Sequence, residues 1–304
     1  MKRESSRRTP EENATLALLL EVSGTPKPGN VDREHDYPDL GFEQFLAGAV
    51  GAFRGLELAA GGEPVGRSFE RAIAGMSTQR GGNTQFGAIL LLTPLVRAAA
   101  LDGTDEGGTE HDTDDVPNEH TREPIRSGRA EQVVASTTVD DAVAFYRAFE
   151  HVDVAVDDPP DGMEALDVRH GSDAEPAIRE HGLTLEAVMA HSAEVDGIAA
   201  EWVNGFPRTG AVAERLLTDS GPISERTSTV FLEELAADVD TFVVTKHDHE
   251  TAVEVRQRAR RVLEGEEDPT DLAEEFVSRG INPGTTADIV AGGLFVALER
   301  GMEV

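Results

Sequence analysis

The stretch Thr25-Pro26-Lys27-Pro28-Gly29-Asn30-Val31-Asp32-Arg33-Glu34-His35-Asp36 cannot be helix, and it sits between two strongly apolar segments that read as helix. Each proline restricts the residue before it, and Gly29 frees the backbone straight afterwards. A rigid loop carrying Lys, Asn, Asp, Arg and His between buried helices is a natural place for a polar site. The same stretch also reads as an ordinary helix connection with a solvated charge cluster.

The rest of the chain keeps to the helical period. Thr9-Pro10-Glu11-Glu12 opens a first helix with a capping box and a proline in the first turn. Phe42, Phe45, Leu46, Ala49, Val50, Phe53 and Leu56 predict a second helix over about 42–60. Gly48, Gly51 and Gly55 on it allow a close helix neighbour. A third helix is expected at about 68–76. An apolar one follows Gly81-Gly82-Asn83-Thr84-Gln85-Phe86-Gly87. Residues 102–130, rich in Gly, Asp, Glu and Thr, read as a mobile acidic insert. Helices resume at 138–149, 185–195, 198–204, 211–217, 224–237, 250–263 and 269–278, and a last one follows Gly280-Ile281-Asn282-Pro283-Gly284-Thr285-Thr286-Ala287-Asp288. The segment Asp240 to Asp248 has a short β-like look and is expected to be an extended turn. No strand series appears, so the fold class is all-α: one multi-helix domain over 1–304 with Gly/Asn/Thr-rich loops at helix N-termini.

Composition excludes several functions. There is no cysteine, hence no disulfide, thiolate nucleophile or zinc–thiolate site. No run of about 18 apolar residues exists to span a membrane, and no h-region follows the basic start, so a cytoplasmic protein is expected. The 58 acidic residues against 27 basic ones leave a net charge of −31. With a core-forming apolar fraction, this reads as a salt-adapted surface whose self-repulsion is screened in concentrated salt. No basic stripe is present, which argues against nucleic acid. The sequence leaves the oligomeric state open, a homo-oligomer included.

Only three of the 27 basic residues are lysines, and two of them, Lys27 and Lys246, lie in the two oddest loops. A compact ammonium on a flexible stem suits a phosphate oxygen. Gly81-Gly82 and Gly280 to Gly284 each feed a buried helix, whose first N–H groups can face an anion. Asp32, Asp39, Asp240 and Asp288 stand on loops or at helix starts. There they are placed to hold Mg²⁺ with a nucleotide phosphate, to act as a base, or simply to cap a helix.

Taken together, Glu21-Val22-Ser23, Pro26-Lys27-Pro28-Gly29, Val31-Asp32, Asp39, Gly82-Asn83-Thr84 with Gly87, Asp240-Thr241 with Lys246, and Asn282-Pro283-Gly284 with Ala287-Asp288 resemble the triphosphoribosyl-dephospho-CoA synthase family, in its order. Gln85 and Phe86 stand where the bacterial members have His and Lys. The resemblance implies an all-helical transferase that joins ATP to 3′-dephospho-CoA through the 2′-hydroxyl and releases adenine. It implies Asp32 and Asp288 as catalytic carboxylates. Lys27, Pro28, Gly29, Arg33, Gly82, Asn83, Thr84, Lys246, Asn282 and Gly284 would bind the nucleotide, and Glu21, Asp32 and Asp39 would hold Mg²⁺. Alternatives are a related ribosyl or phosphoribosyl transferase of another cofactor pathway, or a non-catalytic nucleotide-binding regulator.

Overall fold

The computed structural model describes residues 8–105, 128–159 and 162–304. Glu12 accepts the backbone N–H of Thr9 at 2.8 Å and so fixes the start of α1 (Pro10–Ser23). Gly24 and the proline loop end it. Helix α2 (Phe42–Gly61) begins where Asp36 accepts the N–H of Phe42, and ends at left-handed Gly62. Helix α3 (Val65–Met76) folds back along α2. Gly51 and Gly75 lie face to face there: a Cβ on either would come within 2.2 Å of the other's carbonyl oxygen. The small residues expected to permit a close neighbour therefore do so. Helix α3 starts at Val65, three residues before the expected Ser68, because Pro64 sets the entry.

Two helices are apolar nearly all round and form the centre: α4 (Phe86–Asp105) and α15 (Gly284–Glu299). They pack against each other, with α1 and α10 (Pro207–Thr218) alongside α15. Helices α6 (Val139–Ala148), α8 (Leu185–Ser192) and α9 (Gly197–Asn204) close one side. Helices α11 (Ile223–Ala237), α13 (His249–Leu263) and α14 (Pro269–Arg279) build the other. The buried apolar side chains form one continuous cluster from Ala14 to Met302.

Among the described residues there is no strand; the lone β-type pairing is a bridge between Tyr37 and Leu40. The all-α expectation holds. The Asp240–Asp248 segment is not an extended turn. Asp240 accepts the N–H of Val243 at 3.0 Å and starts the short helix α12 (Thr241–Lys246). A good cap and burial of Val243 outweigh the β-branched run that suggested extension. Two short helices, α5 (Arg129–Ala135) and α7 (Glu175–His181), are additions. Of the acidic insert, residues 106–127 lie outside the described residues. Its borders are helical, and Arg129 bonds Asp102 across them at 3.0 Å.

Candidate active site

The proline loop folds inward and closes on itself. Asp32 has no exposed surface, and its carboxylate accepts four hydrogen bonds: the N–H groups of Lys27, Glu34 and His35 at 2.8–3.0 Å, and the His35 ring at 2.9 Å. Lys27 is 1% exposed. Its ammonium bonds Glu21 of α1 and lies 5.9 Å from the ring centre of Phe231. Gly29, at φ 80°, is held against the second predicted loop; a Cβ there would stand 2.3 Å from the Ile281 oxygen and 2.8 Å from Pro283. Tyr37 donates its hydroxyl to the Gly29 carbonyl at 2.6 Å, and Asn30 donates to the Pro283 carbonyl at 3.2 Å. The loops at 25–37 and 281–284 thus form one unit. Arg33 points elsewhere, to Ser224 of α11, and Asp39 is exposed.

The two Gly/Asn/Thr turns meet through Asp288. Its carboxylate lies against Gly87, where a Cβ would fall 2.1 Å from Oδ2, and it takes the backbone N–H of Ala88 in the first turn of α4. Asn83 accepts the N–H of Phe86 at 3.1 Å. Asp240 accepts both the N–H and the hydroxyl of Thr286, each at 2.8 Å. At the helix starts expected to cradle phosphate, the N–H groups of Phe86, Ala88 and Thr286 thus face carboxylate and amide oxygens of the chain itself. Gly82 is exposed and stands apart from them.

These elements line a cavity of about 610 Å³. One wall is polar: Glu21, Asn30, Thr84, Gln85, Asn282 and Asp288. Buried oxygens of Thr84, Gln85 and Asn282 have no hydrogen-bond partner. Much of the remaining lining is apolar, with Phe86, Leu90, Phe145, Phe149, Val188 and Met189. A strap without regular helix, 152–159, lines the cavity too, and residues 162–163 lead into two short 3-10 turns, Glu164–Leu166 and Val168–Ala174. Thr245 of α12 ties the strap down by bonding Asp157 at 3.0 Å. No lysine or arginine is among the described lining residues, while Asp157, Asp158, Asp167 and Asp196 add to its acidity.

The buried acids differ in their surroundings. Burial pushes the Asp288 carboxyl well above the usual carboxylate range, and the neighbouring charge of Glu21 adds to the rise against the Ala88 N–H. Burial also raises Glu21, but the Lys27 ammonium and its hydrogen bond pull the other way. Asp196, which caps α9, and Asp240 are raised by burial too, each opposed by hydrogen bonds from backbone N–H groups.

Of the sequence-predicted site residues, the structure brings Glu21, Asn83, Thr84, Asn282, Gly284 and Asp288 to the cavity wall. Lys27 stands behind Glu21, and Pro28, Gly29 and Asp32 form the buried loop. Lys246 is exposed at the rim, 5.9 Å from the ring centre of the wall residue Phe242. Sequence reasoning missed Asn30, Asp196, the aromatic wall and the strap. In the sequence Phe86 stands out only as a departure from the family's Lys, Phe149 only as the end of a helical pattern, and Asp196 carries no signal.

The sequence model of the ATP:dephospho-CoA triphosphoribosyl transferase (CitG) family matches residues 7–303. The chain belongs to this family. It is an all-α triphosphoribosyl-dephospho-CoA synthase that transfers the triphosphoribosyl group of ATP to dephospho-CoA. No curated protein sequence matches it significantly. Among solved structures it is similar to a protein of Archaeoglobus fulgidus provisionally assigned as a triphosphoribosyl-dephospho-CoA synthase. The two share 24% identity over 86% of this chain and 100% of that one, with a TM-score of 0.64, a likeness of fold. No described helix is long and apolar enough to cross a membrane.

Proposed function

We propose that the synthase reaction takes place on the polar wall of this cavity, between Glu21 and Asp288. The observation that carries the reading is a pair of buried carboxyl groups on one wall with unequal surroundings: Glu21 faces the Lys27 ammonium, and Asp288 faces other acids. Burial raises both carboxyls, and the Lys27 ammonium opposes the rise at Glu21 alone; two carboxyls in unlike environments divide naturally into a base and an acid.

The 2′-hydroxyl oxygen of dephospho-CoA attacks C1′ of the ATP ribose as the bond from C1′ to the adenine nitrogen breaks. Glu21, where the Lys27 ammonium opposes the upward pull of burial, takes the hydroxyl proton. Its negative charge also stabilises the positive charge that builds on the ribose, as in glycoside cleavage. Asp288, held toward its protonated form by burial, gives a proton to the departing adenine. Asp32 acts at one remove: it shapes the loop that aims Lys27 at Glu21.

Among the described residues no three acidic or histidine side chains gather around one point. Glu21 is paired with Lys27, Asp32 is sealed in its own loop and Asp39 is exposed, so the three do not converge on one point. In this reading Mg²⁺ arrives with the triphosphate as part of the substrate, since Mg²⁺ is commonly held by phosphates and water. The reaction is placed in the cytoplasm, where both nucleotides are found.

The test is adenine release from Mg-ATP, with and without dephospho-CoA, in molar KCl. Release that requires dephospho-CoA and falls away in Glu21→Gln and Asp288→Asn is expected. ATP binding without release under either condition would overturn the reading.

A further inference from the structure

The cavity has two unlike ends, and the substrate has two unlike ends as well. The aromatic end is built from Phe86 and Phe149, whose ring centroids are 4.9 Å apart at 59°, with Phe145 5.3 Å from Phe149. Phe149 keeps part of its ring accessible, whereas Phe86 is 7% exposed and braced edge-on by Phe69. Met189 and Val188 of α8 line the same cavity. A flat heterocycle fits between such walls, since any aromatic base can stack on a ring face. A triphosphate does not: no described lysine or arginine lines the cavity, six carboxylic acids do, and the N–H groups of Phe86, Ala88 and Thr286 at the starts of α4 and α15 already have acceptors.

The position of Asp288 joins the two ends. It packs on Gly87, the residue after Phe86, and Ile198 of α9 comes to the same spot. The proton donor therefore sits at the edge of the aromatic pocket.

From this we infer that the aromatic pocket is the subsite for the adenine of ATP, with the base entering first and the triphosphate left at the mouth. The donor ribose then lies at the polar wall, with C1′ between Glu21 and Asp288. Adenine leaves C1′ by taking the Asp288 proton, and remains sandwiched by Phe149 until the cavity empties. This orientation rests on the proposed function, because it takes Asp288 as the proton donor.

The experiment is a titration of the full chain with adenine alone, followed by calorimetry in molar KCl, and with inorganic triphosphate alone. Adenine should bind, ATP should displace it, and dephospho-CoA should not. Phe149→Leu, which keeps an apolar side chain but loses the flat ring, should weaken adenine about tenfold and change triphosphate binding less than twofold. Phe149→Trp should restore adenine binding, and circular dichroism and melting check that both variants fold. Absence of adenine binding by the wild type, displacement by dephospho-CoA but not by ATP, or a Phe149→Leu effect on triphosphate rather than adenine would each overturn the inference. Failure of the wild type to release adenine from ATP would sink the catalytic reading instead, and the binding result would still decide the subsite.

Discussion

The proline loop at 25–37 and the junction of α4 with α15 are alike as sequence and opposite as structure. Both are polar turns containing Gly and Asn, set against apolar helices. In the loop the buried polar groups are answered: Asp32 has four donors, Lys27 has Glu21, and the hydroxyl of Tyr37 has a carbonyl. At the junction, buried oxygens of Thr84, Gln85 and Asn282 have no partner, and Asp288 has acids as neighbours. A saturated polar cluster is scaffold, because a substrate would have to break bonds to use it. An unsaturated one pays a standing desolvation cost that a ligand can relieve.

The strongest way to break this comparison is Asp288→Asn. The amide can still accept the Ala88 N–H but cannot donate a carboxyl proton, so adenine release should fall about 10²–10⁴-fold. The melting temperature should hold or rise. The pH dependence has a definite sign. The folded-state pKa of Asp288 is raised above the ordinary 3.8, so the folded form holds the extra proton. That contribution to stability is fully present below about 3.8 and is lost as pH rises toward the folded-state pKa. Wild type should therefore lose stability relative to Asp288→Asn as pH is raised over that window, in paired urea titrations. Full activity in Asp288→Asn would move the chemistry off the junction.

Next in size is Lys27→Met in the loop. It leaves Glu21 buried without its cation, and removal of one partner of a buried pair costs about 3–5 kcal/mol. The cost should shrink toward acid pH, where an unpaired Glu21 takes up a proton. Glu21→Gln combined with Lys27→Met should recover much of the stability in chemical denaturation, yet remain inactive. Recovery of adenine release in the double variant would show that Glu21 is scaffold as well.

Asp32→Asn sharpens the boundary between the two regions. Loss of the charge that three N–H groups and His35 point at should cost about 1.5–3 kcal/mol. Turnover per folded molecule should fall far less than in Asp288→Asn, as measured by kcat corrected for the folded fraction. A folded Asp32→Asn with kcat down a thousandfold would place Asp32 in the chemistry.

Helix content was legible in the sequence because periodicity and caps are local. Phe42 to Leu56 repeats at helical spacing, and Glu12 answers Thr9 three residues on. The segment at 240–248 was not legible that way: its β-branched run is local, but the partner that fixes Asp240, Thr286, is 46 residues away. The candidate site was legible as a set of loops and not as a set of roles. Nothing within Thr25 to Asp36 says that Asp32 faces inward to its own loop, and nothing within Thr84 to Gly87 announces Asp288. Lys27 looked like a phosphate ligand by its rarity, and only packing shows that α1 brings Glu21 onto it. Phe86 stands out only as a lost Lys, and Phe149 carries no polar signal at all, so an aromatic cavity wall is not announced as a wall.

The smallest expected effect belongs to Lys246, the one sequence-predicted cation at the cavity rim. It is exposed and lies over Phe242, which lines the wall from α12. If the base enters first, the triphosphate emerges near this rim, and an exposed ammonium there acts through water. Such a contact is weak and screened: Lys246→Gln should raise KM for ATP about two- to fivefold at low ionic strength, with kcat and melting unchanged. In molar KCl, where the Debye length is about 3 Å, the difference should vanish. A Lys246→Gln effect that persists in molar salt would mean the ammonium closes directly onto phosphate, and the rim would then belong to the site as firmly as the junction does.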